Sequence, residues 1–166
     1  MSVPEPSNRE VVDRFVKALF SGDFDAQDEY LADEVVEDFP QSGERIRGRA
    51  NRRAMGENYP GRAEREFAPG KPGRIVGDDR WILTPAMSLV RVTGSGDSFV
   101  VTSELRYPNG ELWQTVQLIE FRAGRIVKLT SYFAAPFAPP EWRAKWVEPI
   151  PPSTEGAPEP RGRTGA

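Results

Sequence analysis

Between Asn8 and Phe20 the apolar residues Val11, Val12, Phe15, Val16, Leu19 and Phe20 return at three- and four-residue intervals, the period of one helix face. Ser7 followed three residues later by Glu10 is a capping-box pattern, and Gly22 supplies a stop, so the spacing predicts an amphipathic helix over about 8 to 20. Asp23 or Asp25 can cap a second, shorter helix through Leu31, after which Val35-Val36-Glu37-Asp38-Phe39 reads as a short strand halted by Pro40. A third helix is expected from Gly48 to Asn58, with a thin apolar stripe of Ala50, Ala54, Met55 and Tyr59 and a stop at Pro60-Gly61.

Beyond about Glu64 the pattern changes from helix to strand. The Gly-, Pro- and Arg-rich stretch 62–85 supports only short extended pieces. Met87 to Thr93 and Ser98 to Tyr107 flank Gly94-Ser95-Gly96-Asp97; Pro108-Asn109-Gly110 leads into Glu111 to Arg122, and Ala123-Gly124 into Arg125 to Phe133. Four strands on tight turns predict one antiparallel sheet. A type I turn with Pro108 at its second position and Gly110 left-handed gives a bulged hairpin in which Tyr107 faces Glu111. Phe99, Val101, Ser103 and Leu105 then share a face with Trp113, Thr115, Gln117, Ile119 and Phe121. A two-residue Asn-Gly turn would slip the register by one and turn Glu104 and Arg106 inward, burying an ion pair where an apolar surface is on offer.

Pro139-Pro140-Glu141-Trp142 opens a last short helix whose Trp142 and Trp146, four apart, are expected to pack against the open end of the domain. From Pro149 onward the chain is rich in Pro and Gly and nearly free of apolar residues, which reads as a disordered tail. The expected organisation is a flexible N-terminus over 1–7, one domain over 8–147 and a tail over 148–166.

Composition narrows the chemistry more than the fold. The 166 residues suit a single domain, and the sequence contains no Cys and no His. Disulfides, thiolate or imidazole zinc sites, Cys nucleophiles and every Ser-His or Cys-His dyad are thereby excluded, leaving carboxylates, Tyr, Lys or solvent for acid-base work. No metal or cofactor site is expected. A net charge of −3 disfavours nucleic acid and anionic membrane as partners. No apolar run reaches the roughly 20 residues of a membrane span, and MSVPEPSNRE lacks a signal peptide's apolar core, so a cytoplasmic location is expected.

Two strings, VVDRFVKALFSGDFDAQDEYLADEVVEDFPQSGERIRGR and VQLIEFRAGRIVKLTSYFAAPFAPPEWRAKWVE, resemble the opening and the end of SnoaL-like proteins of the nuclear transport factor 2-like superfamily. The resemblance covers about 8–147 and implies an α+β fold: a cone-shaped, curved antiparallel sheet with three N-terminal helices over its concave face. It implies an apolar pocket for a small apolar or aromatic ligand, and a homodimer through the outer sheet face. The superfamily hosts isomerases, cyclases, dehydratases and non-catalytic binding modules, so the fold does not choose among them.

The resemblance to ketosteroid isomerases places Asp38 where their proton-shuttling carboxylate stands, and a carboxylate in an apolar pocket can be tuned toward general-base work. Glu37 would face the other way. The isomerases' donor Tyr corresponds to Phe15 and their protonated acid to Gln117, so the strong oxyanion donors are missing and steroid isomerisation is disfavoured. Gln117 is the expected polar anchor, and Trp113, Phe15, Tyr59, Phe99, Val101, Leu105 and Ile119 the expected lining. Two functions stand: a cofactor-free isomerase, cyclase or dehydratase using Asp38 as base, or a non-catalytic ligand-binding or dimerisation module. Arg45, Arg47, Arg49, Arg52 and Arg53 crowd the start of the third helix, where salt bridging to the acidic 23–38 stretch is the simplest use for them.

Overall fold

The structure is a computed structural model, and it describes residues 5–59, 86–106 and 111–150. The expected extended pieces of 62–85, the turn at 107–110 and most of the tail lie outside these residues. Helix α1 (Asn8–Ser21) begins as expected: the Ser7 hydroxyl accepts from the Glu10 N–H while the Glu10 carboxylate accepts from the Ser7 N–H at 2.8 Å, holding the Glu10 carboxyl below its ordinary range. Gly22, at φ 68°, ends it, so that the N–H groups of Gly22 and Asp23 reach back to the carbonyls of Leu19 and Ala18. Asp23 then caps α2 (Phe24–Asp28), its side chain accepting from the Ala26 N–H at 3.0 Å.

The first strand is longer than VVEDF suggests. β1 (Leu31–Phe39) starts where the second helix was expected to end, and it turns through Gly43 into β2 (Glu44–Arg47). Nothing in ERIR alternates apolar with polar strongly enough to mark it as a strand; it forms because it can hydrogen-bond along β1. Helix α3 (Arg49–Glu57) follows, and β3 (Ala86–Ser95), β4 (Ser98–Arg106), β5 (Leu112–Arg122) and β6 (Arg125–Ala134) complete a six-stranded sheet of order β2-β1-β6-β5-β4-β3.

The sheet is curved and unclosed. The four strands expected on tight turns, β3 to β6, pair antiparallel as read, and β1 joins them by running parallel to β6. The order puts the N-terminal strand beside the last one, and only residues 31–39 laid against 125–134 reveal the parallel pairing. In β4 and β5, Phe99 lies opposite Ile119, Val101 opposite Gln117, Ser103 opposite Thr115 and Leu105 opposite Trp113. That is the register of the bulged hairpin, with Glu104 and Gln114 paired on the other face.

Helix α1 covers the inner face. Val11, Val12, Phe15 and Val16 pack with Leu31, Val35, Phe99, Val101, Ile119, Phe121, Ile126 and Leu129 into one buried cluster, each large side chain contributing about 1.5–3 kcal/mol on removal from water. Leu105 and Trp113 form a second, smaller cluster with Phe133 and Ala135. Helix α3 reverses its expected orientation: Ala50, Ala54 and Met55 are exposed, and its buried residue is Arg52. An apolar stripe that thin does not fix which side of the helix is covered.

Residues from Phe137 onward form a separate unit. Within it Glu141–Trp146 is a short 3-10 helix preceded by Pro140, with the Lys145 ammonium 4.2 Å from the Trp146 ring centroid. Within this unit neither Trp142 nor Trp146 is buried.

Candidate functional site

Alternation along β1 is anchored by Val35, which is buried in the core. Glu37, two residues on, therefore faces inward, and Asp38 faces the opposite way. The two acids have unlike surroundings. Asp38 lies directly opposite Arg45 on β2 and is held by its guanidinium at 2.5 and 2.8 Å. Hydrogen bonding from Arg45, with further charge from Arg45, Lys128 and Arg47, outweighs desolvation and holds the Asp38 carboxyl below its ordinary value of 3.8. The direction is opposite to what general-base work at neutral pH requires, and the side chain lies on the wrong face to line the interior. The inward position expected of Asp38 is taken by Glu37 instead.

Glu37 is the inward acid, 5% exposed. Its Oε2 accepts from Arg52 Nε at 2.9 Å and its Oε1 accepts from the Ser131 hydroxyl at 2.8 Å. Arg52, 7% exposed, also donates through Nη1 to Gln27 Oε1 at 2.8 Å, and Gln27 in turn donates to the Ala18 carbonyl at 3.2 Å. The Arg52 guanidinium carbon lies 5.4 Å from the centre of the Phe15 ring, adding a cation–π contact. All three helices and strands β1, β5 and β6 meet here: Phe15 from α1, Gln27 from α2, Arg52 from α3, Glu37 from β1, Gln117 from β5 and Ser131 from β6. A buried ion pair stands only when its remaining donors and acceptors are also satisfied, and Gln27 and Ser131 do that for this one.

Gln117 closes the network on the sheet side. Its Nε2 donates to Ser131 Oγ at 2.9 Å and lies 3.5 Å from Glu37 Oε1. Its Oε1 is shielded from solvent and, among the described residues, receives no hydrogen bond. A buried carbonyl without a donor costs about 1–3 kcal/mol, which makes this atom the open valence of the cluster.

The expected lining divides. Phe15, Phe99, Val101 and Ile119 are buried together in the main cluster with the polar network beside them. Leu105 and Trp113 belong to the smaller cluster further along the strands, where the Trp113 indole N–H donates to Glu111 at 2.9 Å. Tyr59 is half-buried just past the end of α3. Arg52 and Ser131 were not expected as site residues. The signal for them was present only in part: strand alternation starting from Val35 rather than Val36 turns Glu37 inward, and a buried acid needs a cation.

Four of the five arginines of the run pair with the acidic stretch, as expected. Arg45 pairs with Asp38, Arg49 with Asp33 and Arg52 with Glu37, while Arg53 pairs with Asp25, Asp28 and Glu57 and is held more firmly protonated by those contacts. A surface cleft of about 460 Å³ among Asp25, Asp28, Glu29, Arg49, Arg53 and Arg125 is built from these pairs, with Arg125 donating to the Glu29 carbonyl. Among the described residues no group of three or more acidic side chains is placed to hold a metal ion. Nor is any helix among them long and apolar enough to cross a membrane.

A curved sheet with helices over its inner face and a polar cluster set among buried apolar side chains is the architecture of the nuclear transport factor 2-like proteins. The chain matches the SnoaL-like domain family over residues 12–129 and belongs to it. A nuclear transport factor 2-like protein of unknown function from Burkholderia xenovorans LB400 is 34% identical, with 86% of this chain and 94% of that one covered and a TM-score of 0.61. A candidate ketosteroid isomerase from Kribbella flavida DSM 17836 is 22% identical over 87% of this chain and 90% of its own, with a TM-score of 0.67. A candidate polyketide cyclase from Pseudomonas putida KT2440 is 19% identical over 77% and 92%, with a TM-score of 0.54. These last two likenesses are of fold. No curated protein matches the chain.

Proposed function

We propose that this protein binds a small, largely apolar molecule against the inner face of its sheet, with Gln117 as the polar anchor and Phe15, Val101 and Ile119 as apolar neighbours. The single observation that carries the reading is Gln117 Oε1, which has no partner among the described residues and is buried beside an otherwise satisfied ion pair. The family and the candidate isomerase and cyclase among similar structures support a small-molecule ligand. The reading favours binding over base catalysis. Asp38 is turned outward and paired, and Glu37 has both carboxylate oxygens engaged by Arg52 and Ser131.

A thermal-shift screen of polyketide-, terpene- and steroid-like compounds tests it. A ligand at 100 times its Kd stabilises by about 2.7 kcal/mol, a shift of several degrees for a domain of this size. At least one compound is expected to raise Tm in the native protein and to lose most of that effect in Gln117→Met. A panel that moves neither protein removes the reading.

Self-association belongs to the same proposal. On the outer face Leu118 and Tyr132 are more than a third exposed, with Val116 opposite Tyr132 across the strands. Sedimentation of the native chain is expected to give a dimer that Leu118→Glu converts to monomer.

A further inference from the structure

The polarity of the open valence specifies more than the presence of a ligand. Gln117 has two amide hydrogens and one carbonyl oxygen to place. The hydrogens face Ser131 Oγ at 2.9 Å and Glu37 Oε1 at 3.5 Å. Ser131 has one hydroxyl hydrogen, and it goes to Glu37 Oε1 at 2.8 Å. Turning the amide over would set its carbonyl against Ser131 and leave either that contact or the Ser131–Glu37 contact with two acceptors and no hydrogen. The order of donors therefore runs from Gln117 through Ser131 to Glu37, fixed at its far end by Arg52, which donates to the same carboxylate at 2.9 Å. What Gln117 presents beyond the cluster is an acceptor.

We infer that the interior selects a neutral ligand that donates a hydrogen bond, an alcohol or phenol on an apolar body, over the corresponding ketone or ether. The inference rests on the small-molecule reading above and sharpens it. A hydroxyl supplies the hydrogen that Gln117 Oε1 lacks, whereas a carbonyl brings a second set of lone pairs to the same place. The ligand is neutral because Glu37 and Arg52 already balance each other, so a carboxylate would meet an acceptor with no cation to spare. Val101, directly opposite Gln117 across the strands, and Ile119, next on the same face, take the apolar body. This polarity is the reverse of an oxyanion hole, which needs donors at that point.

The test uses the full chain and three molecules of one shape: 2-naphthol, 2-methoxynaphthalene and 2-acetylnaphthalene, titrated while the Gln117 side-chain amide is followed by NMR. Naphthol is expected to bind roughly tenfold or more tightly than the ether and the ketone, the discrimination a buried unpaired acceptor provides. In Gln117→Met the three affinities should converge. In Ser131→Ala, where Nε2 loses its acceptor and the amide is free to turn, the ketone should gain on the naphthol. Should Gln117→Met fail to fold, the native comparison and Ser131→Ala still decide. If the ether or the ketone binds the native protein as well as naphthol or better, the inference is overturned while interior binding stands. If none of the three binds and the Gln117 amide does not move, the small-molecule reading falls and takes the inference with it.

Discussion

Glu37 and Asp38 are neighbours in the chain, and each is paired with an arginine, Arg52 and Arg45, seven residues apart. Their physics differs because a strand sends successive side chains to opposite faces. The outer pair joins β1 to the edge strand β2, with the Arg45 side chain 49% and the Asp38 side chain 19% exposed, so that water reaches the pair and offsets the loss of either partner. The inner pair is enclosed by Phe15, Gln27, Ser131 and Gln117, where nothing can substitute for a missing partner. Identical charges thus act as surface decoration in one place and as the organising element of the interior in the other.

The sharpest way to break that contrast is to remove one inner partner. Arg52→Met leaves Glu37 buried and unpaired and is expected to cost about 3–5 kcal/mol in urea denaturation, while Arg52→Met combined with Glu37→Leu should recover most of the loss. Equal losses in the single and double variants would show that packing of the Arg52 stem, not charge, is what matters. Ser131→Ala removes a hydrogen bond to Glu37 and leaves its carboxylate one donor short, with an expected loss of about 1–3 kcal/mol by the same measurement.

The outer pair should respond weakly. Asp38→Asn is expected to leave the urea midpoint at neutral pH essentially where the native protein has it, and any small effect to shrink further in high salt. Its pH dependence follows from the direction of its shift. The folded-state value lies below 3.8, so what the pair contributes is present above that pH and disappears as the pH falls through the folded-state value. A carbon-detected NMR titration should place the Asp38 midpoint below 3.8. A midpoint displaced toward neutrality would restore Asp38 as a candidate base.

Much of the scaffold was legible. The helical period of 8–20, its Ser7–Glu10 cap and the Gly22 stop are local features, and each forms as read. The β4–β5 register was decided by one turn and one desolvation argument, and it places Gln117 opposite Val101 on the inner face as expected. The site was legible only in pieces. The inward direction of Gln117, Val101 and Ile119 followed from the face assignment and Phe15 came from the family resemblance, but VVEDF has two adjacent apolar residues and so gives no local sign of which alternate set turns inward. That one-residue ambiguity is why Asp38 rather than Glu37 was expected to face inward. β2 was missed because it is exposed almost throughout, so neither face needs apolar residues.

Local spacing, capping and turn chemistry along the chain determined the helices, most strands and the inner face of the central hairpin, because those depend on residues a few positions apart. Only the tertiary structure decided which acid is internal and what it holds. Glu37 finds Arg52 15 positions away, Gln117 80 away and Ser131 94 away. Burial, which separates a strong pair from a weak one, exists only once three helices and three strands have closed around the same point.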